Sequence, residues 1–367
     1  MFLTIITFII ILTIIVFAHE LGHFWTARKL GVTVEEFGFG FPPRVWGIIK
    51  KKTMYSINWI PLGGFVKIKG ESGEDRDDED SFASKAAWKK SAILSAGVIM
   101  NVVLAFIALS IGFMMGLPTV VDQEMAGVAI SDRAVQIVSV EEGSVAQSIG
   151  LEMGDRIVSI DQQVFSSDQQ IIEYIQNDQD RILSLVVNRF GEDLSLEADL
   201  TGQEQSILGV YLATTGLVKY PWYRAIWEGL RATGYVLVQI VLAFYLIIKG
   251  LFVGTGPGLQ VAGPIGVAVL TGQMAQLGFA YLLQFTALLS LNLAIINILP
   301  FPALDGGRLV FVLIEKIRRK PNNANIEAMI HNTGFILLLF LMFVVTYKDI
   351  ARNGVQIIGA LKGLVGL

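Results

Sequence analysis

Residues Phe2 to Ala18 form an unbroken run of apolar side chains and threonine that continues into Leu21 and Phe24. About 20 such residues cross the roughly 30 Å hydrocarbon core of a bilayer as one helix. No basic residue precedes the run and no small-residue cleavage site follows it, so it predicts a retained first span rather than a leader. Similar blocks run from about Ser91 to Leu117, Phe279 to Leu299 and Thr333 to Val345, and Gly229 to Val253 is a fifth candidate. Only 16% of the 367 residues are charged, against roughly a quarter in soluble domains. The chain therefore reads as a polytopic α-helical protein of the lipid bilayer. A net charge of −4 argues against nucleic acid as a partner. The lack of any cysteine excludes disulfides, cysteine-type metal sites and thiol catalysis.

Charge sets the expected topology. Residues 26 to 90 hold 12 Lys/Arg, and Lys316, Arg318, Arg319 and Lys320 form a second basic cluster. Residues 118 to 219 carry 5 basic and 17 acidic residues. The positive-inside rule puts the two basic segments in the cytoplasm and the acidic one outside. If Gly229 to Val253 also crossed, the Lys316–Lys320 cluster would fall on the wrong face. That segment is expected instead on the outer membrane surface as one or two amphipathic helices, with Trp222, Arg224, Trp227 and Arg231 as an interfacial anchor. The acidic run Glu71 to Asp80 reads as a solvated loop tip.

The first span ends in His19-Glu20-Leu21-Gly22-His23, an H-E-x-x-H pattern. Residues at i and i+4 share a helix face, so both imidazoles can reach one zinc ion, and Glu20 can act as general base toward water there. With this composition the pattern arises by chance on the order of once in a thousand such chains. Ionisable groups inside a span each cost about 2.5–3.5 kcal/mol on insertion scales, so such a cluster implies a role. A catalytic zinc takes three protein ligands and leaves one position open. His331 lies beyond the second basic cluster with no partner pattern, which makes Asp305 the better third ligand. It sits in Asn297-Ile298-Leu299-Pro300-Phe301-Pro302-Ala303-Leu304-Asp305-Gly306-Gly307, where two prolines break the helix. Irregular backbone at membrane depth belongs in a buried or wet site.

Between the spans, Val135, Ile137 and Val140 begin a strand pattern and Ile182 to Val187 form a later one, with a helix expected over Gln169 to Gln176. This order, with Gly143-Ser144-Val145-Ala146 and Gly150-Leu151-Glu152-Met153-Gly154-Asp155-Arg156-Ile157, resembles a PDZ domain of the bacterial protease type. Such a domain implies either a groove for a peptide ligand or a shield over the membrane part.

H-E-x-x-H on a first span, N-x-x-P-x-P-x-L-D-G after a later one, and the PDZ-like segment between them together resemble the site-2 protease family. The likeness is to its bacterial branch, of the regulator-of-sigma-E-protease type. It implies Zn2+ held by His19, His23 and Asp305, Glu20 as catalytic base, and Asn297 with Asn292 holding the substrate backbone. It also implies that Gly38-Phe39-Gly40 and Pro61 to Lys67 belong to a sheet dipping into the membrane from the cytoplasm, with an edge that pairs with an extended substrate. Ser95-Ala96-Gly97 and Asn101 suit close packing of span two against the metal helix.

The expected fold class is thus about four transmembrane helices with an inserted extracytoplasmic PDZ domain and a membrane-associated β-sheet. Its segments are span one at 1–25, a cytoplasmic loop at 26–90, span two at 91–117 and a PDZ domain at 122–213. Surface helices at 220–270, span three at 279–313, a cytoplasmic loop at 314–332, span four at 333–352 and a tail at 353–367 complete it. The expected function is intramembrane zinc proteolysis of pre-trimmed single-span proteins in a bacterial cytoplasmic membrane, the substrates being of the anti-sigma-factor or remnant-signal-peptide type. The alternative is a silent PDZ-bearing scaffold.

Overall fold

In lipid a lone apolar segment satisfies its own backbone only as a helix, and the first block is one: α1 covers Phe2–Lys29. The computed structural model of the chain describes residues 2–121, 129–141, 143–177, 182–201, 208–253 and 263–365. After α1 come β1 (Val34–Lys50), β2 (Thr53–Ile68) and α2 (Ala87–Met115). The polar middle contains β3 (Leu117–Val120), β4 (Ala129–Val140), α3 (Val145–Ser148), β5 (Arg156–Ile160), α4 (Asp168–Asn177), β6 (Ile182–Arg189), β7 (Glu192–Asp199) and β8 (Val210–Lys219). The chain ends in α5 (Trp222–Val253), α6 (Pro264–Leu277), α7 (Phe279–Ile298), α8 (Asp305–Arg318) and α9 (Ala324–Val365).

Two compact units result. The first combines residues 1–109, 229–272 and 285–367, and the second 110–228 and 273–284. Among the described residues five helices are long and apolar enough to cross a membrane: Leu3–Lys29, Ala87–Met115, Trp222–Gly250, Phe279–Ile298 and Ala324–Ile350.

Several expected boundaries change. The block at 279–313 is two helices, because Pro300 and Pro302 stop α7 before Asp305 can start α8. The loop expected over 314–332 shrinks to the connection between Arg318 and Ala324. The tail at 353–367 continues α9 as far as Val365. The stretch 229–253 belongs to one unbroken 32-residue helix, α5.

In the first unit β1 and β2 fold into a curled sheet. Phe37 pairs with both Val66 and Tyr55, and Tyr55 also pairs with Ile48. Residues 36–39 therefore lie between two limbs of β2, which doubles back around Pro61 and Gly63. The free edges are the 44–50 limb and the 64–68 limb. Thr13 Oγ1 of α1 donates to Pro61 O at 3.0 Å and ties the bend to the first helix. Ala27, Val34, Ile68, Ile93 and Val312 form the buried contact of this sheet with α1, α2 and α8.

The acidic loop is docked rather than merely solvated. Glu71 pairs with Arg308 of α8, and Arg76 Nη2 donates to Asn322 O at 3.1 Å. Lys69 bridges Asp78 and Asp80 at 2.6 and 2.8 Å. The Lys69 ammonium, with Thr33, holds the Asp80 carboxyl down at about 2. A depressed carboxylate contributes its stability above its ordinary range and loses it only as pH falls through the lowered value, so this contact persists at any physiological pH.

At the other end of the bundle, buried Asp349 of α9 accepts from Gly263 N at 3.2 Å and Gly266 N at 2.7 Å. A carboxylate from one helix thus caps the first turn of α6.

The second unit is a six-stranded antiparallel sheet of order β3-β8-β4-β5-β6-β7. Strand alternation buries Leu183, Leu185 and Val187 on one face, where Ile171 and Ile175 from one side of α4 cover them. Asp155, 1% exposed, accepts from Arg189 Nε and Nη2 at 2.7 Å each and from Glu152 N at 2.9 Å. That bidentate pair holds the Arg189 guanidinium above its ordinary value. Breaking a buried pair from one side costs about 3 kcal/mol. Asp155→Ala should therefore lower the opening free energy of β5 and β6 by about that amount in hydrogen exchange of the full chain, leaving α1 and α2 unchanged.

Candidate metal centre

The site is built from three helices and the break after a fourth. One turn of α1 separates His19 from His23, and both are 6% exposed. Their Nε2 atoms lie 3.1 Å apart. Asp305, the first residue of α8, places Oδ2 3.0 Å from His19 Nε2 and 3.3 Å from His23 Nε2. Among the described residues this is the one group of His, Asp or Glu side chains arranged to hold a metal ion.

Outer partners orient both rings. His23 Nδ1 donates to Ile93 O at 2.8 Å, which leaves its Nε2 lone pair facing Asp305. His19 Nδ1 faces the Asn101 side-chain amide at 3.3 Å. With Nε2 directed at a metal, His19 Nδ1 carries the proton and needs an acceptor. The nearer atom is Asn101 Nδ2, while Oδ1 is buried without a partner among the described residues, so chemistry assigns the amide turned over, with its oxygen accepting from His19. Ser290 Oγ of α7 donates to Asn101 O at 2.9 Å and fixes the same turn of α2.

These contacts require α1 and α2 to touch. A Cβ on Gly22 would meet Ala96 C at 2.7 Å, and one on Gly97 would meet His19 Cε1 at 2.7 Å and Nε2 at 2.8 Å. Gly306 and Gly307 play the same part beside Asp305, since a Cβ on either would strike the backbone of the α7–α8 break. Glu20, beside His19 on α1, reaches the sheet, where its Oε2 accepts from Val66 N at 3.1 Å. That amide belongs to the 64–68 limb, a free edge.

Asn297 enters the site from the last turn of α7, with Nδ2 3.3 Å from His19 Nε2. Asn292 lies earlier on α7, and its amide donates to Leu288 O at 2.9 Å within its own helix. His331, read from sequence as partnerless, has a partner: its Nδ1 accepts from Ala303 N at 2.9 Å. From sequence Asn101 reads only as a packing residue and His331 shows no partner pattern, because their partners lie 82 and 28 residues away. Only the pairing of small residues with a buried asparagine in span two hinted at the first.

The donor set fits zinc. Tetrahedral Zn2+ with bonds of about 2.0–2.2 Å spaces its ligand atoms roughly 3.3 Å apart, close to the separations here. Two imidazole nitrogens and a carboxylate oxygen match its preferred ligands. Asp305 Oδ2 is buried without a hydrogen-bond donor of its own among the described residues, as a cation ligand would be.

Two substitutions test this construction. Asn101→Ala should weaken zinc binding about 10–100-fold, the usual cost of losing an outer partner of a ligating histidine. Gly97→Ala should leave purified protein largely zinc-free, because its methyl group occupies the space of both rings. Metal content and chelator competition measure both effects.

Comparison with known proteins agrees with the geometry. Residues 7–341 match Peptidase family M50. The zinc metalloprotease RasP of Geobacillus kaustophilus is 29% identical over 433 residues, covering 95% of this chain and 98% of its own. RasP of Bacillus licheniformis is 30% identical over 435 residues, covering 95% and 99%. With the family match spanning most of the sequence and a zinc-fitting triangle at its centre, the chain belongs to Peptidase family M50, the site-2 proteases, and is a zinc metalloprotease.

Proposed function

We propose that this protease cuts within or beside the transmembrane segment of single-span proteins already trimmed on their outer side, of the anti-sigma-factor or remnant-signal-peptide type. One observation carries the reading: the base, Glu20, stands between the metal triangle and the amide of a free sheet edge. A helix buries its peptide bonds, so a protease needs an extended segment, and an exposed edge supplies strand partners. The 64–68 limb offers such an edge beside the reacting groups.

His19, His23 and Asp305 would hold Zn2+, which when bound would supply a Lewis acid for the scissile carbonyl and an acidified water. Glu20 takes the proton from the attacking water and returns it to the leaving amine. Asn297, a neutral donor at the edge of the triangle, orients the substrate backbone, and Asn292 lines the approach one turn earlier.

Membrane placement follows from the directions of the helices. His19 and His23 lie toward the C-terminal end of α1, Gly97 toward the N-terminal end of α2, and Asp305 just past the C-terminus of α7. Thus α1 and α7 run the same way and α2 runs opposite. Between α2 and α7 the chain must cross either not at all or twice. Helix α6 has 14 residues, about 21 Å, too short for the hydrocarbon. Its start and its middle lie far from the site: Gly263 against Asp349, and Gly272 against Thr4 in the first turn of α1. With α6 lying across that end, α5 lies on the same surface, which supports four crossings. Trp222, Tyr223 and Trp227, all exposed at the start of α5, suit the headgroup region.

The basic loops support a site end of the bundle at the cytoplasmic face of a bacterial inner membrane. Exposed Val45, Trp46, Ile48, Ile49, Trp59 and Ile60 suit a sheet in contact with lipid. The second unit is read as an extracytoplasmic PDZ domain, supported by the Ser144-capped helix α3 and by α4 packed on the antiparallel sheet. It serves as a peptide groove or as a filter against large ectodomains.

Glu20→Gln decides between protease and silent scaffold. Zinc content should stay near one per chain, while cleavage of a model transmembrane peptide lacking its outer part should fall about 100- to 10,000-fold. Equal cleavage by wild type and variant would overturn the assignment of the base.

A further inference from the structure

The break between α7 and α8 that delivers Asp305 bonds to itself through Phe301 N to Leu299 O and Leu304 N to Phe301 O, but at Ala303 it is held from outside. Ala303 adopts φ +75°, a left-handed conformation that costs an L-residue about 1–3 kcal/mol. Its N–H belongs to neither helix ladder and needs a partner from elsewhere. The partner is His331 of α9, whose Nδ1 accepts that N–H at 2.9 Å. On the same face of α9, three residues on, Gly334 lies so close that a Cβ there would meet Pro302 O at 2.7 Å. The last long helix therefore grips two successive residues of the break, Pro302 and Ala303, immediately before Leu304 and Asp305.

The imidazole is kept at a cost. With Nδ1 accepting, Nε2 carries the proton, and this atom is buried with no partner among the described residues. An unpaired buried donor costs about 1–3 kcal/mol. A phenylalanine would avoid that penalty and keep the ring contact with Phe311, whose centroid lies 5.3 Å away. What phenylalanine cannot do is accept from Ala303.

We propose that His331 is a positioning residue for proteolysis. By holding the Ala303 amide it sets the turn that brings Asp305 Oδ2 within 3.0 and 3.3 Å of the two ligand imidazoles. The inference rests on Asp305 as third ligand of the proposed site.

The test uses the full chain in detergent as wild type, His331→Phe, His331→Asn and Asp305→Asn. Asparagine places an acceptor close to the position of Nδ1. In zinc-free protein, His331→Phe should speed amide exchange over residues 299–305 about tenfold or more. From the loaded protein it should speed zinc release to a chelator about 10–100-fold. Cleavage should lose kcat with KM nearly unchanged, and His331→Asn should move all three readouts back toward wild type. Exchange and zinc release within twofold of wild type in His331→Phe would overturn the proposal. So would a loss of protection spread equally over α1, α2 and α9, which marks general unfolding rather than local positioning. If Asp305→Asn holds zinc as tightly as wild type, the ligand assignment itself fails. If Asp305→Asn loses zinc while His331→Phe does not, only the positioning role fails.

Discussion

The membrane part of this protein depends on the approach of α1 to α2 with no side chain between them. Gly22 rests on the backbone of Ala96, and Gly97 lies under both ligand rings. In lipid there is no hydrophobic drive to push two apolar helices together, so close backbone packing supplies the contact. That packing also brings Ile93 O and Asn101 within reach of the two imidazoles. The same few residues thus hold the helices together and orient the two imidazoles of the candidate metal triangle.

Ionisable groups in a span are expensive unless their charge is matched. Here one half-buried carboxylate faces two buried imidazoles, and Asn101 of α2 with Ser290 and Asn297 of α7 completes the polar pocket. Each polar group relies on the others, since a half-satisfied buried network is costlier than an apolar one. The second unit uses the same economy, since Asp155 is buried only because Arg189 and the Glu152 amide fill its lone pairs.

Much of this was legible in the sequence because it was local. The four-residue spacing of His19 and His23 expresses helix geometry directly. The prolines after Asn297 announce a break wherever they occur, and the alternation at Leu183, Leu185 and Val187 states which face of a strand is inside. What could not be read was pairing across distance. Asp349 capping α6, Glu71 reaching Arg308, and His331 holding Ala303 each join segments whose local patterns are silent about the partner. The acidic run looked solvated because charge density alone speaks for water. Its docking pairs Glu71 and Arg76 with Arg308 of α8 and Asn322 of the connection after it, partners that nothing within the run announces.

The composition of the motif around Asp305 follows from one geometric demand. A carboxylate must meet two imidazoles that project sideways from α1, but a continuous α7 would carry residue 305 about 12 Å beyond Asn297 along its axis. The chain therefore has to stop and restart at the depth of the site. Pro300 and Pro302 end the ladder, and Ala303 turns the backbone with positive φ. Leu304 then re-enters extended geometry as the N-cap of α8. Gly306 and Gly307 let the new helix start against the carbonyls of the old one, where any side chain would collide. Asp305 ends up in the first turn of α8, where the helix dipole favours a negative charge. Proline, left-handed alanine, aspartate and paired glycines are thus separate answers to a single requirement, and each fails without the others.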